Sequence, residues 1–259
     1  MHTPYNQFER IRGALHNARR NAGQMSRVLR ARIASQKDRQ PLCLCIGDSH
    51  TAVFELVATK LLLPSTHLAV VAVDGATARG LANPNSTTNS LSIFKTALRL
   101  VPNDTYVIIM LGEVDSGFLV WYHADHSGHS IEQELQRSLD SYRDFVTHLS
   151  YQYQHLILVE APLPTVHDYR TWHGLHNARK TVTATIAERT DLTRSFNSAV
   201  RDLAKQIGAK VLVLEHELLD ARTGLIRDSF LNYDTLDHHL APGPFADLVA
   251  RRMHDLGFT

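Results

Sequence analysis

The sequence predicts an α/β fold, a three-layer α/β/α sandwich built on a five-stranded parallel sheet. Five short apolar runs alternate with stretches of helical periodicity, the pattern of repeated β-then-α units. The runs are almost continuously apolar, as strands covered by helices on both faces must be. With 259 residues, 44% hydrophobic and 20% charged, the chain suits one large domain, and no apolar stretch approaches the ~20 residues that span a bilayer.

Residues 1–40 read as a basic helical arm preceding a domain of residues 41–259. Ile11, Leu15, Ala18, Ala22, Met25 and Leu29 recur in alternating steps of four and three, a helical stripe. Gly13 and Gly23 each cost about 1 kcal/mol relative to Ala in a helix interior, so the stripe suits packing on the chain's own domain or a neighbouring subunit better than an independent coiled coil. The arm carries nine Arg and Lys against Glu9 and Asp38, a charge of +7, while the whole chain carries +1. Such asymmetry makes the arm a candidate contact for a membrane surface or a protein partner, with the chain a candidate homo-oligomer. No recognised motif accompanies the basic residues, so no nucleic acid is expected. The first ten residues lack the apolar core of a secretory signal, which points to the cytoplasm.

From residue 41 the strands are expected at 41–46, 67–73, 105–111, 155–159 and 210–214. Cys43 and Cys45 fall two apart in the first and should share one face of the sheet as buried thiols. A helix follows over 52–62, and another over 191–208, where Leu192, Phe196, Ala199, Val200 and Leu203 share a side and Gly208 stops the turn. A final helix starts near Gly243. Right-handed crossovers then favour a flavodoxin-like, doubly wound strand order. Residues 112–130 and 161–189 interrupt the rhythm at carboxyl ends of strands, the edge where such sheets bind ligands. Both read as loops walling a substrate site, the second rich in polar aromatics between Pro162 and His176.

The first strand runs straight into Gly47-Asp48-Ser49-His50-Thr51, placing Ser49 at a strand-to-helix turn. A serine hydroxyl needs a histidine to accept its proton, and a carboxylate on the other ring nitrogen fixes that histidine's tautomer. The segment Tyr233 to Pro242, leaving the fifth strand at the same sheet edge, supplies both. In an extended turn Asp237 and His239 lie on one side of the backbone, with Asp234 and His238 as the alternative acid and base. His50 and Thr51 read as caps of the following helix.

Three blocks in this order resemble the SGNH hydrolase superfamily, the GDSL-type esterases and lipases: Gly47-Asp48-Ser49-His50, the run from Asp74 and Gly75 to Gly80 and Leu81, and Asp237-His238-His239-Leu240. The resemblance covers residues 41–258 and implies that fold. It also implies Ser49 as nucleophile, His239 as base, and an oxyanion hole from the backbone N–H groups of Ser49 and Gly75. Two features depart from the superfamily's pattern. Where its third block has Gly-x-Asn-Asp, this chain has Gly112-Glu113-Val114-Asp115, and where it has Asp-x-x-His, this chain has Asp-x-His. Val114 cannot donate to an oxyanion, and Glu113 could do so only if protonated.

Around this core, Glu113, Asp115, Arg79 and His123 are candidate substrate-site residues, with Asp115 expected to brace the turn and Trp121 at the mouth. The triplet His123, His126 and His129 has metal-ligand spacing only on a helix, which Gly128 and its neighbouring serines argue against, so no metal and no cofactor is expected. The reaction implied is hydrolysis of an ester through an acyl-enzyme on Ser49, with an O-acyl, including O-acetyl, carbohydrate as the substrate class. The alternatives are an acyltransferase with the same triad and a catalytically weak binding module of this fold.

Overall fold

Alternation along the strands decides the architecture. In β1 (Leu42–Gly47), Leu42, Leu44 and Ile46 enter one apolar core while Cys43 and Cys45 enter a second on the opposite face of the sheet. β3 (Tyr106–Met110) and β4 (His155–Val159) divide in the same way, Val107, Ile109, Leu156 and Leu158 against Ile108, Met110, Ile157 and Val159. With β2 (His67–Ala72) and β5 (Lys210–Leu212), these strands form one all-parallel sheet in the order β2-β1-β3-β4-β5. This is the doubly wound arrangement the sequence predicts. The computed structural model describes residues 4–168, 182–234 and 237–259, with residues 4–17 described by their backbone alone.

Helices cover both faces. α1 (Pro4–Asp38), α3 (Ser90–Leu98), α5 (Ile131–Ser150) and α6 (Ile186–Ile207) pack on the first core through Val28, Phe94, Tyr142, Phe145, Phe196 and Val200. α2 (Val53–Thr59), α7 (Glu215–Leu218) and α8 (Pro242–Asp255) close the second through Phe54, Val57, Leu218, Phe245 and Met253. The two cysteine thiols lie in that second core, unpaired, and burial pushes both well above the ordinary thiol range. No helix among the described residues is long and apolar enough to cross a membrane.

Three expectations need correction. α1 is a single helix, but Ala18, Ala22 and Leu29 of the expected stripe face solvent, while Gln24, Val28 and Ser35 are buried and Ala31 and Met25 pack on the core. The contact face is selected by β2 and α3, which take small and polar groups as well as apolar ones. Residues 112–130 are mostly helical, because a π-helical turn at Asp115–Leu119 leads into α4 (Val120–Ser127). Gly128 ends α4 in a left-handed cap and Ser130 opens α5 with a capping box to Gln133, so these residues bound helices where the sequence reading took them to forbid one. α6 starts at Ile186, five residues earlier than expected, behind the capping box of Thr185 and Glu188. Of the polar aromatic loop, residues from Tyr169 to His176 lie outside the described residues.

Candidate active site

Ser49 owes its place to an absence of side chain two residues earlier. A Cβ on Gly47 would lie 1.9 Å from the Met110 carbonyl oxygen, so only glycine lets the end of β1 approach β3 this closely. The chain then turns: the Asp48 N–H donates to the Met110 carbonyl at 3.2 Å, and the Asp48 side chain accepts the His50 N–H at 2.9 Å, capping the short 3₁₀ turn Ser49–Ala52. Asp48 is therefore the cap, where the sequence reading assigned that role to His50 and Thr51. Ser49, half-buried, stands just past the carboxyl end of β1, between the edge strand β2 and the central strand β3.

The histidine segment is pinned independently. Leu231 and Leu240 form an antiparallel bridge, the Ala241 N–H donates to the Phe230 carbonyl at 2.8 Å, and the Thr165 hydroxyl donates to the His238 carbonyl at 2.5 Å. This delivers His239 Nε2 to 2.8 Å from Ser49 Oγ, across 190 residues of sequence. On the other side His239 Nδ1 lies 2.6 Å from Asp237 Oδ1, which also accepts the His239 backbone N–H at 2.9 Å. Asn232 Nδ2 donates to Asp237 Oδ2 at 2.9 Å. Burial alone would raise the Asp237 carboxyl, but the backbone and ring of His239 outweigh it and hold the group below the usual carboxylate range. Nε2 is thus left to accept the serine proton. The structure unites Ser49, His239 and Asp237, and gives His238 and Asp234 other places: the His238 ring packs, tilted, with its centre 4.1 Å from that of His239, and the Asp234 carbonyl accepts the Asp237 N–H at 3.1 Å.

Gly75, in the left-handed region at φ +68°, turns the chain just after β2. Among the described residues no acceptor takes the N–H of Gly75 or of Ser49, so both donors are uncommitted. The turn is braced from below by Asp115, fully buried, whose carboxylate accepts the N–H groups of Ala78 at 2.7 Å and Arg79 at 3.0 Å. Burial pushes its carboxyl up to about 6, against the pull of those two N–H groups. Asp115 is a support and is closed off from any substrate.

The other candidates separate similarly. Glu113 is buried behind His50, its Oε2 3.9 Å from His50 Nδ1, which also lies 3.2 Å from Asp48 Oδ1. The His50 ring packs 4.8 Å from that of His239, so a buried acid and imidazole cluster backs His239. No pairwise spacing in the sequence signals it. Val114 is buried and lines neither of the two cavities at the site. Arg79 is paired with the buried Glu134, which also accepts from Arg137 and pairs with His129. His123 joins Arg79 along a polar groove of about 740 Å³ that begins at Gly75. Burial, with Arg79, His126 and Arg137 nearby, lowers the pKa of His123. Trp121 instead turns its indole N–H to the Ser116 carbonyl at 2.8 Å. His129 is tied to Glu134 and His126 to the Tyr122 carbonyl, so the triplet does not converge.

On the other side of Ser49 a second pocket, about 360 Å³, is walled by Val53, Leu56, Leu240, Pro242 and Phe245 together with the triad. Among the described residues Asp237, His238 and His239 are the group whose ligand atoms lie close enough, within 4.8 Å, to hold a metal ion, but both ring nitrogens of His239 are already engaged.

No family model matches the sequence, and no curated protein does. Solved structures do match the fold. A putative acylhydrolase from Bacteroides fragilis superposes with a TM-score of 0.55 at 12% identity, over 86% of this chain and 92% of its own. A variant of an acetyl-xylooligosaccharide esterase from Geobacillus gives 0.54 at 14%, over 85% and 95%. A GDSL-like lipase from Bacteroides thetaiotaomicron gives 0.53 at 12%, over 88% and 97%. The chain has the fold of the GDSL-type, SGNH hydrolases.

Proposed function

We propose that this protein is a serine esterase acting through an acyl-enzyme on Ser49. The observation that carries the reading is the continuous relay from Ser49 Oγ to His239 Nε2 at 2.8 Å and from His239 Nδ1 to Asp237 at 2.6 Å. His239 takes the hydroxyl proton as Ser49 Oγ attacks the ester carbonyl. The carbonyl oxygen, now anionic, is met by the N–H groups of Ser49 and Gly75, and Asp237 stabilises the imidazolium. Collapse expels the alcohol, which receives the proton from His239. Water then attacks the acyl carbonyl as His239 takes one of its protons, and His239 returns that proton to Ser49 Oγ as the acyl bond to the serine breaks and the acid leaves.

The substrate class proposed is an O-acyl, including O-acetyl, ester of a polar, carbohydrate-like alcohol. Support comes from the groove beside Gly75, whose walls include Thr77, Asn83, Asn85, Ser86, Arg79 and His123, a donor and acceptor set suited to hydroxyl groups. The proposal also places the protein in the cytoplasm, testable by fractionation.

A fluorophosphonate probe should label the wild type, and Ser49→Ala should abolish both labelling and hydrolysis of a short-chain nitrophenyl ester. Persistence of either in Ser49→Ala, or neither in the wild type, would overturn the reading. Running the reaction with sugar acceptors separates hydrolysis from acyl transfer by the product formed.

A further inference from the structure

The sequence reading sets the basic arm apart from the chemistry, but α1 reaches the oxyanion turn. β2 is an edge strand, and its last carbonyl, at Ala72, is taken by two side chains of α1: Gln24 Nε2 donates at 2.8 Å and Arg20 Nη2 at 3.2 Å. Gln24 is buried at that contact. The Arg20 guanidinium then forks onto the Asp74 carboxylate, one bond measuring 2.8 Å. Asp74 is the residue before Gly75 and lines the apolar pocket with Ser49, Asp237 and His239.

We propose that Arg20 is a positioning residue for the reaction, holding the Ala72 to Gly75 turn in place and neutralising Asp74 beside the developing oxyanion. The proposal rests on the reading of Ser49 as nucleophile and Gly75 as oxyanion donor. Without Arg20, a bare carboxylate would stand one residue from the N–H that must meet negative charge, and repulsion between like charges would oppose the attack. Water screens the exposed pair in the free protein, and bound ester strengthens the effect by displacing that water. Arg20 also holds the Asp74 carboxyl below its usual range, mainly through the side-chain hydrogen bond, even though partial burial opposes this. The charged and titratable groups facing His239 are Asp237, His238, His50 and Asp74, with Asp48 and Glu113 behind His50. Those facing Arg20 are Asp74 and Glu55, the latter shared with Arg27.

The test compares Arg20→Ala, Arg20→Lys, Arg20→Ala with Asp74→Asn, and Arg32→Ala, whose guanidinium anchors the same helix to the Leu100 carbonyl at 2.7 Å, away from the site. On a nitrophenyl acetate substrate, Arg20→Ala should lower kcat about tenfold with KM nearly unchanged, less than the 10²–10³ for losing an oxyanion donor outright. The acid limb of its pH profile should move upward, because an unpaired Asp74 favours the imidazolium. Adding Asp74→Asn should recover most of both effects, Arg20→Lys should fall between, and Arg32→Ala should keep the wild-type kcat. A double variant as slow as Arg20→Ala, or an equal loss in Arg32→Ala, would reduce Arg20 to a helix anchor and overturn the proposal. If wild type neither turns over nor labels, the esterase reading fails. Hydrogen exchange at the Ala76 amide, which donates to the Val73 carbonyl at 3.0 Å, then still decides the positioning claim, since exchange unchanged in Arg20→Ala refutes it.

Discussion

Replacing Asp237 with asparagine should slow the enzyme far less than the same change does when it reverses the histidine tautomer. Both His239 donors, the backbone N–H at 2.9 Å and Nδ1 at 2.6 Å, fall on the same oxygen, Oδ1. An asparagine that keeps its carbonyl there satisfies both and preserves the Nδ1–H tautomer. Its NH₂ group then faces Asn232 Nδ2, which must turn and give up accepting the Asp234 N–H at 3.1 Å. The opposite amide orientation would set NH₂ against the His239 backbone N–H and could bond the ring only by reversing its tautomer, which the first orientation avoids. What is lost is charge. At an effective dielectric of 20, two charges 4 Å apart attract by about 4 kcal/mol. The pair is about a third exposed, 34% for His239 and 37% for Asp237, so screening by water roughly halves that figure to about 2 kcal/mol, or about 30-fold in kcat. The assay is kcat on nitrophenyl acetate between about pH 5 and 9, alongside Asp234→Asn, which should turn over as the wild type does. A loss near 10⁴ would mean the amide has turned its NH₂ group to the ring. No loss, or the larger loss in Asp234→Asn, would remove Asp237 from the triad.

Asp115 should make stability depend on pH. Its folded pKa of about 6 lies above the unfolded value of 3.8, so the folded state binds the extra proton and stability falls as pH rises from about 4 to 6, by about 3 kcal/mol. Denaturant titrations at both ends should show this slope, and Asp115→Asn should flatten it. The apolar pocket beside Ser49 should favour a butyryl over an acetyl nitrophenyl ester by kcat/KM, about fourfold per buried methylene at ~0.8 kcal/mol. A chain-length series with acetate preferred would show that the pocket takes no part. Gly47→Ala should destabilise by at least about 3 kcal/mol, because its Cβ would meet backbone at 1.9 Å, read as a fall in thermal midpoint.

How much of this was legible depends on the range of the interaction. The two-residue period of β1 separates Cys43 and Cys45 from Leu44 and Ile46 without further information, and the apolar runs give the parallel sheet. Asp237 and His239 meet because an extended dipeptide step puts both on one side, a local fact readable from spacing. The helix after β3 was not legible because Gly128 and Ser130, residues that end and begin helices, look the same as residues that prevent them. The packed face of α1 was misplaced for a different reason. Gln24 and Ser35 are polar, and what buries them is the unpaired edge of β2 and the turn at Gln40, where the Ser35 hydroxyl donates to the carbonyl at 2.6 Å.

By itself the sequence determined the strands, the helix faces set by strong periodicity, the serine turn and the pairing of Asp237 with His239, all products of short-range sterics and hydrogen bonding. Only the tertiary structure decided which histidine reaches Ser49 across 190 residues, and that Arg20 of the arm closes on Asp74 across 54. It also decided that Glu113 backs His50, and which N–H groups, those of Ala78 and Arg79, the brace expected of Asp115 holds. The reason is physical: such contacts depend on how right-handed crossovers bring the carboxyl ends of parallel strands to one edge, and no residue's own conformational preference carries that information.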